Sequence, residues 1–152
     1  MKPNRIKTAL LSYGMSGEVF HGPLLQAHSG FDITSVFQRN PEKPANHSFP
    51  VVKEFREILE DASVELVIVN TPNETHFTYA SAALAAGKHV IVEKPFTVTV
   101  KEADELIALA ARQRRLLTVF QNRRWDADFL TVRKILDAGL LGKLVECEIH
   151  YD

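Results

Sequence analysis

The stretch that decides the fold is His89-Val90-Ile91-Val92-Glu93-Lys94-Pro95-Phe96, a short β-branched run that ends in a charged pair and a proline. Val90, Ile91 and Val92 form the continuous apolar run required of a parallel strand covered on both faces, and Gly87 just before it suits a helix end. Glu93 and Lys94 emerge at the strand's carboxyl end. In an open α/β sheet that end faces the ligand crevice, where a lysine can donate a hydrogen bond, shuttle a proton or orient a hydroxyl beside a cofactor. The same residues also fit a surface strand-to-helix turn whose Lys-Pro simply blocks a further strand, and the stretch alone does not separate the two.

Outward from this strand, apolar runs alternate with helical periods, which predicts βαβ units and a mainly parallel sheet. Strands are expected over Ile6–Ser12, Phe31–Phe37, Val51–Val52, Leu66–Val69 and Leu116–Phe120. Val19, Phe20, Leu24 and Leu25 form the apolar face of a first helix, which Pro23 should kink or restart. Phe55, Ile58 and Leu59 mark a brief helix, and Phe77, Ala80 and Leu84 a longer one that stops near Gly87. Thr99-Val100-Lys101-Glu102 has the form of a capping box, followed by Ala103, Leu106, Ile107 and Ala110 at helical spacing. Phe129, Val132 and Leu136 line a last helix that Gly139 and Gly142 end, and a polar loop with Pro41, Pro44 and Asn46 follows the second strand.

The 152 residues, 45% apolar and 24% charged, suit one globular domain with a real core. A formal net charge of −1 provides no field for nucleic acid or an anionic membrane. The apolar runs are too short for a membrane helix and the amino terminus lacks a signal segment, so a cytoplasmic protein is expected. Cys147 is the sole cysteine and the six histidines lack zinc-enzyme spacing, so neither an internal disulfide nor a metal site is expected. From Val145 to Tyr151 apolar and polar residues alternate, as in a strand with one wet face. Residues 1–143 are therefore expected to form the first domain and residues 144–152 the opening strand of a second, α+β domain absent from this chain; an edge strand of the first sheet is the alternative.

The turn after the first strand carries the next chemistry. A dinucleotide fold has G-x-G-x-x-G there, for a tight turn, close approach of backbone to pyrophosphate, and close helix packing. Here Ser12 stands in the first position while Gly14 and Gly17 keep the second and third, and the N–H groups around Met15, Ser16, Gly17 and Glu18 would meet phosphates at a helix N-terminus. The replaced glycine is expected to loosen that grip. An NAD enzyme places a carboxylate at the end of its second strand, whereas Gln38-Arg39-Asn40 offers none. That pattern points to NADP, with Arg39 on the 2′-phosphate; a solvated loop arginine is the other reading.

Glu93-Lys94-Pro95, Thr71-Pro72-Asn73 with His76, Gly14-Met15-Ser16-Gly17 with Val19-Phe20-His21, and Gln121-Asn122-Arg123-Arg124-Trp125 together resemble the glucose-fructose oxidoreductase and inositol dehydrogenase family, Gfo/Idh/MocA. The Val19–Pro23 and Asn122–Phe129 stretches are most similar to its NADP-linked scyllo-inositol dehydrogenase branch. The resemblance implies a doubly wound Rossmann-type α/β domain, with helices on both faces of the sheet, that binds NADP or NAD. It implies hydride transfer between nicotinamide and a carbinol or carbonyl carbon of a sugar or cyclitol, in a full-length protein that forms homo-oligomers.

By that resemblance Lys94 is the catalytic lysine on the reacting hydroxyl and the nicotinamide ribose, and Glu93 helps hold the cofactor. Pro95 is expected to follow a cis peptide bond. Phe20 lies with the phosphate turn, while Thr71, Pro72, Asn73 and His76 line the ribose side. Asn73 also reads as a helix cap and His76 as a polar first-turn residue. Asn122, Arg124 and Trp125 close over the nicotinamide, although Trp125 equally fits packing under the next helix. The family's histidine and aspartate for acid–base work lie in a second domain, and His150 and Asp152 come too early for that role. A chain without that domain is expected to lack turnover, and a non-catalytic, redox-sensing or regulatory nucleotide-binding module is the rival reading.

Overall fold

A computed structural model describes residues 5–39 and 47–150. The chain divides into two units, residues 1–120 and 121–152, each described by itself. In the first unit six strands pair in parallel in the order β3-β2-β1-β4-β5-β6. They are β1 (Ile6–Leu10), β2 (Phe31–Phe37), β3 (Val51–Val52), β4 (Leu66–Val69), β5 (His89–Glu93) and β6 (Leu117–Phe120). The helices between them are α1 (Gly22–Ala27), α2 (Phe55–Glu60), α3 (His76–Ala85) and α4 (Val100–Gln113). The second unit holds α5 (Ala127–Asp137). This is the parallel sheet that the alternation of runs predicted, in the doubly wound Rossmann-type form that the family resemblance implied.

Strand side chains alternate between faces, and the core divides accordingly. Ala9, Leu11, Val67, Val69, Val90 and Val92 pack with Ile58 of α2, Ala80, Ala83 and Leu84 of α3, and Leu106 and Ala110 of α4. Leu10, Ile33, Val36, Leu66 and Ile68 form the other layer, with Leu25 of α1. Fully burying a Val or Leu contributes about 1.5–3 kcal/mol, so β4, apolar and buried along its whole length, anchors the sheet. The Thr99 hydroxyl accepts the Glu102 N–H and the Glu102 carboxylate accepts the Thr99 N–H, completing the expected capping box. α3 ends before Gly87, whose φ of +76° suits a residue without Cβ.

Three expectations change. The first helix restarts as Pro23 announced, but its expected apolar face does not hold: Met15 and Ser16 lead into a π-turn over Gly17–His21, and α1 begins at Gly22 with Pro23 in its first turn. The wide turn inserts one residue into the helical period, so Gly17, His21, Gly22 and Leu25 are buried while Val19 and Leu24 are more than half exposed. On α4 the expected face holds at Leu106 and Ala110, but Ile107 is 57% exposed. The strand expected over Val145–Tyr151 is not formed across 145–150. A strand's N–H and C=O groups need a neighbouring ladder, and no described residue supplies one there. Pro41, Pro44 and Asn46, with Tyr151 and Asp152, lie outside the described residues. Among the described residues no helix is long and apolar enough to cross a membrane.

Candidate functional site

Because every strand runs the same way, the turns after β1, β2, β4 and β5 leave one rim of the sheet. β1 sits between β2 and β4, so the chain winds outward in both directions from it. That reversal opens the crevice in which such sheets hold ligands.

The turn after β1 manages without its first glycine. Arg114 is the only non-glycine with positive φ among the described residues, so Ser12 has ordinary backbone geometry. Its hydroxyl accepts the Gly14 N–H at 3.2 Å, a local bond that closes the turn. A Cβ on Gly17 would lie 2.7 Å from the Ser12 carbonyl oxygen, so this position keeps the helix against the strand only as glycine. A Cβ on Gly14 would meet nothing closer than the Ser12 hydroxyl at 3.6 Å, which leaves its outer side open to a ligand. The Glu18 N–H donates to the Gly14 carbonyl at 2.9 Å, removing it from the expected cradle. The N–H groups of Met15, Ser16 and Gly17 have no acceptor among the described residues and remain to meet an anion.

Asn70 fixes this turn from across the switch point. Its amide Nδ2 donates to the Ser12 carbonyl at 2.9 Å and approaches the Ser16 hydroxyl at 3.5 Å. The side-chain Oδ1 is buried without a partner, an arrangement that is costly for the protein alone. Thr71 is buried beside it, while Pro72 and Asn73 are exposed. Asn73 opens a single 3-10 turn, Asn73–Thr75, and caps neither that turn nor α3 with its side chain, so its amide is free to face solvent or ligand. His76 is fully buried: Nε2 sits 2.9 Å from the Thr71 carbonyl and Nδ1 2.9 Å from that of Pro95. It ties the exits of β4 and β5 together instead of lining an open surface.

At the exit of β5 the Lys94–Pro95 peptide is cis. Glu93 Oε2 accepts the Lys94 backbone N–H at 3.0 Å, and Oε1 lies 3.0 Å from Nε2 of His21. The two side chains are 12% and 3% exposed, and the His21 ring packs against that of Phe120 at the tip of β6, with centroids 4.3 Å apart and planes tilted by 44°. Burial pushes His21 below its ordinary pKa, and the hydrogen bond and charge of Glu93 restore only part of that. The imidazole is therefore neutral at pH 7, with Nε2–H donating to the carboxylate. Lys94 is exposed, and its ammonium makes no hydrogen bond or ion pair with the described residues. Arg39, exposed just past β2, also leaves from this rim, and Phe20 is half-buried in the π-turn.

In the second unit Asn122, Arg124 and Trp125 share one 3-10 turn, Asn122–Trp125. Trp125 is 75% exposed and so is not a packing residue under α5. Among the described residues no cluster of histidine, cysteine, aspartate or glutamate could hold a metal ion.

Comparison with known proteins agrees with this geometry. The Gfo/Idh/MocA oxidoreductase family, an NAD-binding Rossmann fold, matches residues 6–121. The chain belongs to that family. The uncharacterized oxidoreductase YdgJ of Escherichia coli is 43% identical over 98% of this chain and 44% of its own length. The scyllo-inositol 2-dehydrogenase (NADP(+)) IolW of Bacillus subtilis is 41% identical over 99% of this chain and 43% of its own. A Bacteroides fragilis crystal structure, 49% identical, superposes with a TM-score of 0.83 over 93% of this chain and 45% of that one. The chain thus spans under half the length of the curated relatives it matches, and is the NAD(P)-binding oxidoreductase domain of a Gfo/Idh/MocA protein.

Asn70, and the burial of His21, were not foreseen at this Gfo/Idh/MocA site. Asn70 had a signal, a polar residue ending the apolar run Leu66–Val69, at the carboxyl end where polar groups meet ligands. His21 was legible as part of the Val19-Phe20-His21 motif, but its burial against Glu93 was not, because that depends on the π-turn, which no residue pattern announced.

Proposed function

We propose that this chain is the cofactor-binding half of an NADP-linked dehydrogenase acting on a carbinol or carbonyl carbon of a sugar or cyclitol. The observation that carries the reading is Lys94: an exposed ammonium with no hydrogen-bond or ion-pair partner among the described residues, on the same rim as a turn that presents three N–H groups likewise without acceptors. That site fits a dinucleotide. The N–H groups of Met15, Ser16 and Gly17 would take the pyrophosphate, with Gly14 allowing close approach and Phe20 beside them. Arg39 would take a 2′-phosphate, and Thr71, Pro72, Asn73 and Glu93 the riboses. His76 contributes by holding Thr71 and Pro95 in place. Asn122, Arg124 and Trp125 would serve the nicotinamide end.

When bound, the nicotinamide supplies or accepts the hydride. Lys94 donates a hydrogen bond to the reacting oxygen and stabilises charge developing there. A second domain, opening with residues 144–152, would add the acid–base group and the surface for homo-oligomers. The cyclitol assignment leans on the similarity to IolW.

Titrating the full chain with NADPH and NADH by fluorescence tests the cofactor half of this reading. Saturable binding that favours NADPH is expected, and a flat titration with both refutes it. Turnover of the full-length protein against a panel of cyclitols and aldoses then separates an enzyme from a non-catalytic nucleotide-binding regulator, which would bind NADPH and turn over none of them.

A further inference from the structure

We propose that His21 is a positioning residue for the cofactor site, acting through Glu93. The inference rests on the dinucleotide reading of the rim. Glu93 is the only carboxylate at the tip of β5, and each of its oxygens accepts one protein hydrogen bond: Oε1 from His21 Nε2–H at 3.0 Å, Oε2 from the Lys94 N–H at 3.0 Å. A carboxylate oxygen accepts more than one hydrogen bond, so both retain acceptor capacity. The two bonds hold the carboxylate plane at two points. A carboxylate held in this way suits a donor-bearing part of the ligand, a ribose hydroxyl or a carboxamide N–H, and disfavours phosphate.

Three features of the structure give His21 this task. The π-turn carries it inward, since Gly22 N–H bonds to Gly17 O and the wide turn leaves His21 buried at its end. Phe120 fixes its ring from the neighbouring strand tip. Its neutrality makes it a donor to the carboxylate without cancelling the negative charge there. Lys94, the residue after Glu93, shares the arrangement through its own backbone N–H. His21 therefore sets the carboxylate and, through it, the start of the Lys94–Pro95 turn, while itself touching no ligand.

A double-mutant cycle on NADPH affinity in the full chain tests this, with circular dichroism and thermal melts to establish folding. His21→Leu removes the donor and is expected to weaken NADPH binding about tenfold, whereas His21→Gln keeps an N–H at similar reach and should recover most of the loss. In a Glu93→Gln background, His21→Leu should cost less than about twofold, because its acceptor is already altered. Equal losses in both backgrounds, or a Gln variant no better than Leu, overturn the proposal in favour of simple packing. If His21→Leu does not fold, His21→Asn takes its place, too short to reach Oε1, against the same Gln comparison. A wild-type chain that binds neither NADPH nor NADH refutes the dinucleotide reading and this proposal together. Binding by the wild type without coupling refutes this proposal alone.

Discussion

β5 is five residues long and has a lysine just beyond each end, Lys88 before it and Lys94 after it, and the two are held in opposite ways. Lys88 is 5% exposed, and its ammonium donates to the Asp61 carbonyl at 2.6 Å, at the end of α2, where a cation complements the helix dipole. The Asp61 carboxylate is itself tied to the Ser63 N–H at 2.8 Å. Lys94 is exposed, and its ammonium has no hydrogen-bond or ion-pair partner among the described residues. One rim of the sheet uses its polar groups to close helix ends. The other keeps an ammonium, three N–H groups and a carboxamide oxygen without partners among the described residues, along the rim that holds the switch point. In a parallel sheet, structural support and chemistry can thus be assigned to opposite ends of one strand.

Swapping the consequences of the two lysines is the hardest test of that division. Lys94→Ala in the full-length protein is expected to lower kcat by about 10²–10⁴ while moving NADPH affinity less than about tenfold. Its melting temperature should stay within about 2 °C of wild type, since the exposed side chain gives up no hydrogen bond or ion pair among the described residues. An unchanged kcat rejects the catalytic assignment. Arg39→Asp, on the same rim, should move the NADPH/NADH affinity ratio toward NADH by about ten- to a hundredfold, removing one attraction and adding one repulsion to a 2′-phosphate. A constant ratio retires the NADP reading.

Lys88→Met reverses the pattern. Leaving the Asp61 carbonyl without its donor is expected to destabilise the domain by about 1–3 kcal/mol, read from urea melts, with NADPH affinity within about twofold of wild type. A loss of affinity as large as the loss of stability would show that the two rims are not independent.

The same contrast explains what could be read from the residues alone. β2 and β4 were legible to their last residue, because a run such as Leu66–Val69 between turn-forming residues has one plausible conformation. So were the box at Thr99 and the restart at Pro23, which depend on local chemistry. Lys94 and Gly14-Met15-Ser16-Gly17 were legible because strand direction alone places them on one rim. The roles of His21 and Lys88 were not, since each comes from a partner 72 or 27 residues away. Asn73 and His76 illustrate the limit within one motif: adjacent turns of the chain leave one exposed and enclose the other, and composition carries no record of which. The strand expected over Val145–Tyr151 is a different case, because alternation describes a face and says nothing of whether a ladder is present to receive it.

The smallest expected effect concerns pH, and it divides the rims again. Burial lowers the His21 pKa below its ordinary value of 6.5, so between the two values the unfolded chain binds more protons than the folded one. Its contribution to stability is therefore fully present above about pH 6.5 and is lost as pH falls through the folded value. Burial pushes His47 in the same direction. On the other rim the Ser63 hydrogen bonds hold the Asp61 carboxyl below its ordinary 3.8, so that contribution is present above this value and lost only in stronger acid. Thermal melts should accordingly show His21→Gln reducing the fall in Tm between pH 7.5 and 5.5 by about 1–3 °C, leaving the fall between pH 4.5 and 3 unaltered. Asp61→Asn should do the reverse, because it removes the carboxyl that titrates in the lower window. If His21→Gln leaves the upper slope as steep as wild type, the imidazole is not the group that titrates there, and the neutral donor to Glu93 loses its support.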